Sequence, residues 1–348
     1  MRIRRARSPL VSVIVVLGLS MASACGENGT TSEDLPVDET TSPASEPTSP
    51  GGETVFAGDE RWIAYQTDRG GSEGIWLVHP DGSDDHRIAT DLSGEQLLPD
   101  WSPDGTHLAF TTRGGPSEAL FEYDLATDTS RQLFACEHPC LGDDEPVYSP
   151  DGTSVAFIRA LAPFTDAGPA DCGLWVGDVA TGATRQITSN AQCLREYQPH
   201  WSPDGSQLTY WRWREDASGT TGTAVFVIEA DGTGERQLTD WETFAGSPDW
   251  SPDGGWIVYS TYPLLAFQCC EVSNLFQTRP DGSGTEPLTA NDTENLRATQ
   301  PRYTPDGAWI VFTSVTPSSR TLSAIPADGG APVAITRSGI YTHGTWQP

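Results

Sequence analysis

Five segments of this chain repeat one pattern, and that repetition constrains the fold more than any other feature. They read PDWSPDGTHLAFTT from Pro99, PVYSPDGTSVAFIR from Pro146, PHWSPDGSQLTYWR from Pro199, PDWSPDGGWIVYST from Pro248 and PRYTPDGAWIVFTS from Pro301. The aromatic falls at Trp101, Tyr148, Trp201, Trp250 and Tyr303, at spacings of 47, 53, 49 and 53 residues. A period of this length marks a repeat architecture in which each unit is one supersecondary element. Within the unit, Pro-Asp-Gly supplies a tight turn whose Gly takes positive φ without steric cost. An alternating strand follows, such as Leu108-Ala109-Phe110 or Ile257-Val258-Tyr259. A third strand, a second turn and a fourth strand complete it, most clearly over 224–229, Asp231-Gly232 and 236–239.

The two ends of the chain explain a mismatch in this count. Fourth strands are expected six times, at 86–90, 131–134, 185–188, 236–239, 286–289 and 333–336, against five aromatic-PDG openings. Residues 61–67 (RWIAYQT) form a second strand with no first strand before it, and 343–348 (HGTWQP) a first strand with no second strand after it. Trp346 lies 43 residues beyond Tyr303, close to the repeat length. The C-terminal strand is therefore expected to complete blade one and close the ring, because an open array leaves two unpaired sheet edges. The expected fold is all-β: a six-bladed β-propeller of four-stranded antiparallel blades.

These segments resemble the TolB-like β-propeller repeats, whose signature is x-W-S-P-D-G-x-x-I-A-F. The resemblance covers about 57–348 and implies the propeller fold. It implies much less about function, because one propeller architecture hosts unrelated activities. Members of that family serving the Tol–Pal system carry an extra N-terminal α/β domain; a short tether takes its place here, so a Tol–Pal role is not expected. The Gly-His and Trp-Asp signatures of WD-type propellers do not occur in this sequence.

Charge narrows the partners. Acidic residues number 48 against 20 basic, for a formal charge of −28, and every basic residue is Arg. Nucleic-acid backbones and anionic membrane surfaces both require a basic footprint, so neither is an expected partner. The abundance of Gly (35), Pro (27) and Trp (12) suits tight turns and flat aromatic packing more than long helices.

The N-terminus gives an address. Arg2, Arg4, Arg5 and Arg7 precede an apolar stretch from Leu10 to Met21 that is short for a membrane span. Ala22-Ser23-Ala24-Cys25 then resembles a bacterial lipobox, with Ala22 where Leu is usual. The resemblance implies a signal peptide over 1–24 and acylation of Cys25; the other reading is an ordinary secretory signal cut after Ala24. Several acyl chains would anchor stably where one is marginal. Residues 25–56 are Ser/Thr/Pro-rich and acidic, a composition that buries too little surface to fold and reads as a tether. The propeller is assigned to 57–348, as an extracytoplasmic, membrane-tethered monomer.

Loop lengths distinguish the two faces. Turns between first and second strands, and between third and fourth, are tight. The other connections carry long insertions at 134–146, 160–172, 214–222 and 262–273. Variable loops on a rigid scaffold are where binding usually resides. The six cysteines after Cys25 all fall on this long-loop face, and an even number in an exported chain reads as disulfides. Local pairing gives Cys136–Cys140, Cys172–Cys193 and Cys269–Cys270; zinc ligation by the Cys136-Glu137-His138-Pro139-Cys140 segment is the sharper, less favoured reading.

First strands line the channel. The residues just before each aromatic are Asp100, Val147, His200, Asp249, Arg302 and Thr345. Two positions earlier come Leu98, Glu145, Gln198, Ser247, Gln300 and His343, of the same strand parity. Asp100, Gln198, His200, Asp249, Gln300, Arg302 and His343 could hold a divalent cation or a small polar ligand at one channel mouth, or line a solvated pore. Oligogalacturonate lyases resemble this in holding a metal with His and Gln at the channel.

Enzymatic motifs are weak. Gly70-Gly71-Ser72-Glu73-Gly74 matches G-x-S-x-G but lies between two strands, without the strand-to-helix turn that exposes a nucleophile. Propellers of this kind resemble the lids of prolyl oligopeptidases, and no hydrolase-sized segment accompanies this one. Asp84-Asp85 and Asp143-Asp144-Glu145 read as solvated loop acids. The expected function is non-enzymatic: an envelope-protein-binding scaffold that uses the long-loop face, notably 263–267, and needs no cofactor. The alternative is a small-ligand or carbohydrate-binding protein, metal-dependent and lyase-like, acting at the channel mouth.

Overall fold

Each Ser/Thr-Pro-Asp-Gly segment folds into the same closed hydrogen-bond loop. In blade two, Asp104 Oδ1 accepts the Ser102 hydroxyl at 2.6 Å and the Thr106 N–H at 3.1 Å. Ser102 Oγ in turn accepts the His107 N–H at 2.9 Å, opening the next strand. Asp151, Asp204, Asp253 and Asp306 repeat this with Ser149, Ser202, Ser251 and Thr304. The Gly after each Asp has φ between 68° and 71°, which only Gly adopts without strain. Bonds to the ionised carboxylate hold Asp104 down to about 2. These acids form turns.

The computed structural model describes residues 56, 58–69, 71–114, 118–165, 168–189, 196–215, 221–261, 272–291, 297–316, 319–336 and 342–348. They form six antiparallel sheets of four strands, joined in a ring. Innermost strands are Thr342–Trp346, Glu95–Trp101, Cys140–Tyr148, Glu196–Trp201, Ala245–Trp250 and Arg297–Tyr303, for blades one to six. Each packs against the innermost strand of the next blade, and the last against Thr342–Trp346.

Closure occurs where the sequence places it. Trp346 pairs with Ile63 and Thr345 with Ala64, so the C-terminal strand completes blade one. Gln347 then fastens the ring: its N–H donates to Trp62 O at 2.7 Å, its Oε1 accepts the Trp62 N–H at 3.1 Å, and its Nε2 donates to Gly105 O at 2.8 Å.

The core lies between blades. Ala64, Ile75 and Leu77 of blade one pack against Trp101, Leu108 and Phe110 of blade two, and the pattern recurs around the ring. The repeated aromatics belong to these interfaces: Trp101, Tyr148, Trp250 and Trp346 are buried, Trp201 and Tyr303 half-buried. Trp101 Nε1 donates to Thr345 O and Trp201 Nε1 to Val147 O, each reaching the strand of the preceding blade.

Two sequence expectations change. The fourth strands are only two to four residues long, such as His86–Arg87 and Val333–Ala334, because they are outer edges with one paired side. The Leu or Ile that follows is still tied in: Ile335 donates its N–H to Leu322 O at 2.8 Å, and Thr336 Oγ1 accepts the Leu322 N–H at 2.9 Å. Thr188, Thr239 and Thr289 do the same for Leu174, Val225 and Leu275. The second change concerns the insertions at 160–172 and 214–222, whose described residues extend the ladder. Ser154–Thr165 pairs with Gly168–Asp178 out to Thr165–Gly168, and Gln207–Glu215 pairs with Thr221–Glu229 out to Glu215–Thr221. Extending a hairpin satisfies backbone groups that an irregular loop would leave to water.

Candidate functional site

Every innermost strand carries a β-bulge at the same place. In blade two Leu97 opposes Thr111 and Asp100 opposes Ala109, so Leu98 and Pro99 together face one residue of the partner strand. Leu98, Glu145, Gln198, Ser247, Gln300 and His343 all have φ between 52° and 57°. Six non-glycine residues in the left-handed region is a costly choice, repeated around the ring. The bulge turns three consecutive residues to the axis where regular alternation would supply two of them. The central cavity is accordingly lined by Leu98, Pro99 and Asp100 with Glu145, Gln198, His200, Arg302 and His343.

This cavity has a volume of ≈ 30 Å³, room for one or two waters or a monatomic ion and too little for a sugar ring. Side chains of the lining are held by hydrogen bonds within and between blades. Glu145 Oε2 accepts the Gln198 N–H at 2.5 Å, and Gln198 Oε1 accepts the Trp211 indole N–H at 3.0 Å. Gln300 Oε1 accepts the His343 N–H at 3.3 Å, while its amide nitrogen lies 2.6 Å from His343 Nε2. Asp249 Oδ1 stands 3.4 Å from His200 Nδ1.

Electrostatics centre on Arg302. Burial pushes Asp100 up to about 7, with the Tyr148 N–H and Arg302 pulling the other way. Burial likewise raises Asp249 to about 6, and it raises Glu145 together with the charge of Asp144. Burial and Arg302 push both imidazoles down, His343 to about 3 and His200 well below its ordinary value, so both are neutral at pH 7. Among the described residues, Arg302 Nη1 is buried without a hydrogen-bond partner. Neutral imidazole nitrogens beside a carboxylate are donors a divalent cation could use.

The structure thus gathers the channel residues singled out by position. Asp100, Gln198, His200, Arg302 and His343 line the cavity; Asp249 and Gln300 touch it through His200 and His343. The Asp143-Asp144-Glu145 run is buried, which corrects its reading as solvated acid: Asp143 takes a two-pronged bond from Arg159 at 2.6 and 2.7 Å, and Asp144 accepts the Thr111 hydroxyl. Asp85 binds Tyr65 and Arg69 in blade one. Ser72 is exposed between Thr67 and Gly74, with no side-chain hydrogen bond among the described residues.

Cys136 and Cys140 are joined, with Cα atoms 5.2 Å apart, so neither offers a thiolate to zinc. Cys172 is also disulfide-bonded, its partner outside the described residues. Cys25, Cys193, Cys269, Cys270 and the 263–267 loop lie outside them too.

One feature escaped sequence reasoning. At the end of blade four opposite the PDG turns, Tyr197 lies against Trp211 with ring centroids 4.6 Å apart and planes tilted by 30°, and Trp213 follows two residues further along the same strand. On the other face of that strand, Arg214 covers the Trp241 ring at 4.4 Å. All five side chains are half-buried. The run Trp211-Arg212-Trp213-Arg214 was the available signal, hidden inside what reads as a repeat strand.

No family model matches the chain. It is 27% identical over 216 residues to an uncharacterized protein of Agrobacterium fabrum, covering 62% of this chain and 64% of that one. It is 24% identical over 198 residues to an uncharacterized peptidase of Bacillus subtilis, covering 49% and 29%. The matches thus span less than two thirds of either relative. Among solved structures, TolB from Acinetobacter baumannii superposes with a TM-score of 0.64 at 19% identity, covering 85% of this chain and 69% of that one. An oligogalacturonate lyase in complex with manganese gives 0.55 at 18%, covering 79% and 73%. At such identities the likeness shows the fold, a TolB-like six-bladed propeller.

Proposed function

We propose that this chain is a non-enzymatic, extracytoplasmic binding module that recruits an envelope protein through the end of the propeller opposite the PDG turns. Residues 1–24 act as its signal peptide, acylated Cys25 as its anchor, 25–56 as its tether, and 57–348 as a monomeric propeller. The observation that carries this reading is the blade-four rim, Tyr197, Trp211, Trp213, Arg214 and Trp241. Half-buried Trp, Tyr and Arg on a rigid ladder are the side chains that dominate protein interfaces, since they present large area at little further entropic cost. Crosslinking in cells followed by mass spectrometry tests it. One protein should be enriched with the wild type and lost from Trp213→Ala and from a 263–267 loop replacement. Recovery of the same proteins with both variants refutes the assignment.

A second reading rests on the 3.4 Å approach of His200 to Asp249 beside the ≈ 30 Å³ cavity. His200 and Asp249 would supply two ligands to a divalent cation there, adding structural charge at the axis. Stabilisation by Mn²⁺ or Ca²⁺ that disappears in His200→Ala and Asp249→Ala supports it. An unchanged melting temperature with every divalent ion excludes it.

A further inference from the structure

We propose that the cleft between the start of blade one and the PDG turn of blade six is a saccharide subsite that takes a neutral pyranose stacked on Trp309. The cleft has a volume of ≈ 550 Å³, inside the roughly 300–1,000 Å³ typical of small-ligand sites. It is far larger than the channel cavity.

Its floor is aromatic. Phe56 meets Trp309 edge-on at 5.2 Å and Trp346 at 5.3 Å, fixing three rings together. Phe56 and Trp346 are buried, whereas Trp309 is half-exposed and offers a flat apolar platform. The C–H face of a pyranose is the polar molecule that best matches such a surface.

Its rim supplies both kinds of hydrogen-bond partner. Arg61 is held by Asp59 through bonds of 3.0 and 2.6 Å and lies over the Trp346 ring at 5.1 Å, so a donor is fixed in place. Glu60 is exposed and makes no hydrogen bond or ion pair among the described residues. Asp306 spends Oδ1 on the Thr304 hydroxyl and the Ala308 N–H, which leaves Oδ2 as an acceptor.

These groups select the ligand class. Carboxylates accept from a hydroxyl and a guanidinium donates to one, so a polyhydroxylated ligand satisfies both. An acidic sugar would meet the carboxylates of Asp59, Glu60 and Asp306, a repulsion that a neutral sugar escapes. The site is independent of the blade-four rim: Thr304 and Asp306 belong to a first-to-second-strand turn, while Trp213 lies near a second-to-third-strand connection at the other end of the strands.

Calorimetric titration of the full-length protein tests this, with cellobiose, maltose and N,N′-diacetylchitobiose as probes and digalacturonate as the charged control. At least one neutral probe should bind saturably, and Glu60→Ala should weaken it about tenfold through the lost charged acceptor. Trp309→Ala should abolish binding, Trp213→Ala should leave it unchanged, and digalacturonate should bind more weakly. Glu60 is exposed, so its variant keeps the test informative should Trp309→Ala fail to fold. Absence of saturable binding by all three neutral probes overturns the proposal, as does unchanged affinity in Glu60→Ala or preference for digalacturonate.

Discussion

Asp100 and Asp249 stand three blades apart and do the same work: Asp100 Oδ2 accepts the N–H of Tyr148 at 2.9 Å, and Asp249 Oδ2 that of Tyr303 at 2.8 Å. Each carboxylate leaves its own blade to bind the strand-closing aromatic of the next. Glu145 to Gln198 and Gln300 to His343 form a second such pair of inter-blade bonds, also three blades apart. The polar axis is therefore part of the seam that holds the blades in register, whatever else it binds.

Burying these acids makes stability depend on pH. Asp100 rises from 3.8 to about 7 and Asp249 to about 6. The stability each contributes is full below pH 3.8 and is lost as pH climbs through the folded value. His343, lowered from 6.5 to about 3, works oppositely: its contribution is present above pH 6.5 and lost as pH falls toward 3. The two effects oppose each other below pH 6.5, and only the acids act above it. The melting temperature should fall between pH 6.5 and about 8, and the fall should flatten in the Asp100→Asn, Glu145→Gln double variant. A rise over this range in the wild type would contradict the argument.

Ring closure gives a sharper test. Gln347→Ala removes two side-chain bonds, one to Trp62 within blade one and one to Gly105 in the first turn of blade two. At about 1 kcal/mol for each part-buried bond, unfolding in urea should lose about 2 kcal/mol. Truncation before Thr342 exposes the ladder edge of Ile63–Thr67 and should cause aggregation rather than a modest shift.

The Thr that follows the fourth strand in blades three to six should matter more than its edge position suggests. Thr336→Val keeps shape but strips the acceptor from the Leu322 N–H, in surroundings where Leu322 is fully buried. A cost of about 1–2 kcal/mol is expected from denaturation curves. A neutral result would mean that another group takes over the bond.

The Cys136–Cys140 bridge closes a short loop, and chain entropy limits what it can contribute. The Cys136→Ser, Cys140→Ser double variant should cost at most about 2 kcal/mol. A larger loss on denaturation would show that the bridge holds more than its own loop, for instance the Arg159–Asp143 pair beside it.

The architecture was legible because its determinants are local and repeated. Ser102-Pro103-Asp104-Gly105 makes a turn from bonds within five residues, and the orphan strands at 61–67 and 343–348 require a ring for pairing. Tertiary structure decided the rest. Alternation alone would have turned Pro99 away from the axis; the bulge at Leu98, set by pairing with Thr111 and Ala109, brings it in. Asp143 reads as a loop acid until Arg159, sixteen residues later, bonds it. The Phe56–Trp309–Trp346 floor joins residues from both ends of the domain. Period and turn chemistry are properties of neighbours along the chain and can be read from order alone. A site gathers residues distant in sequence, and only the closed ring fixes which of them meet.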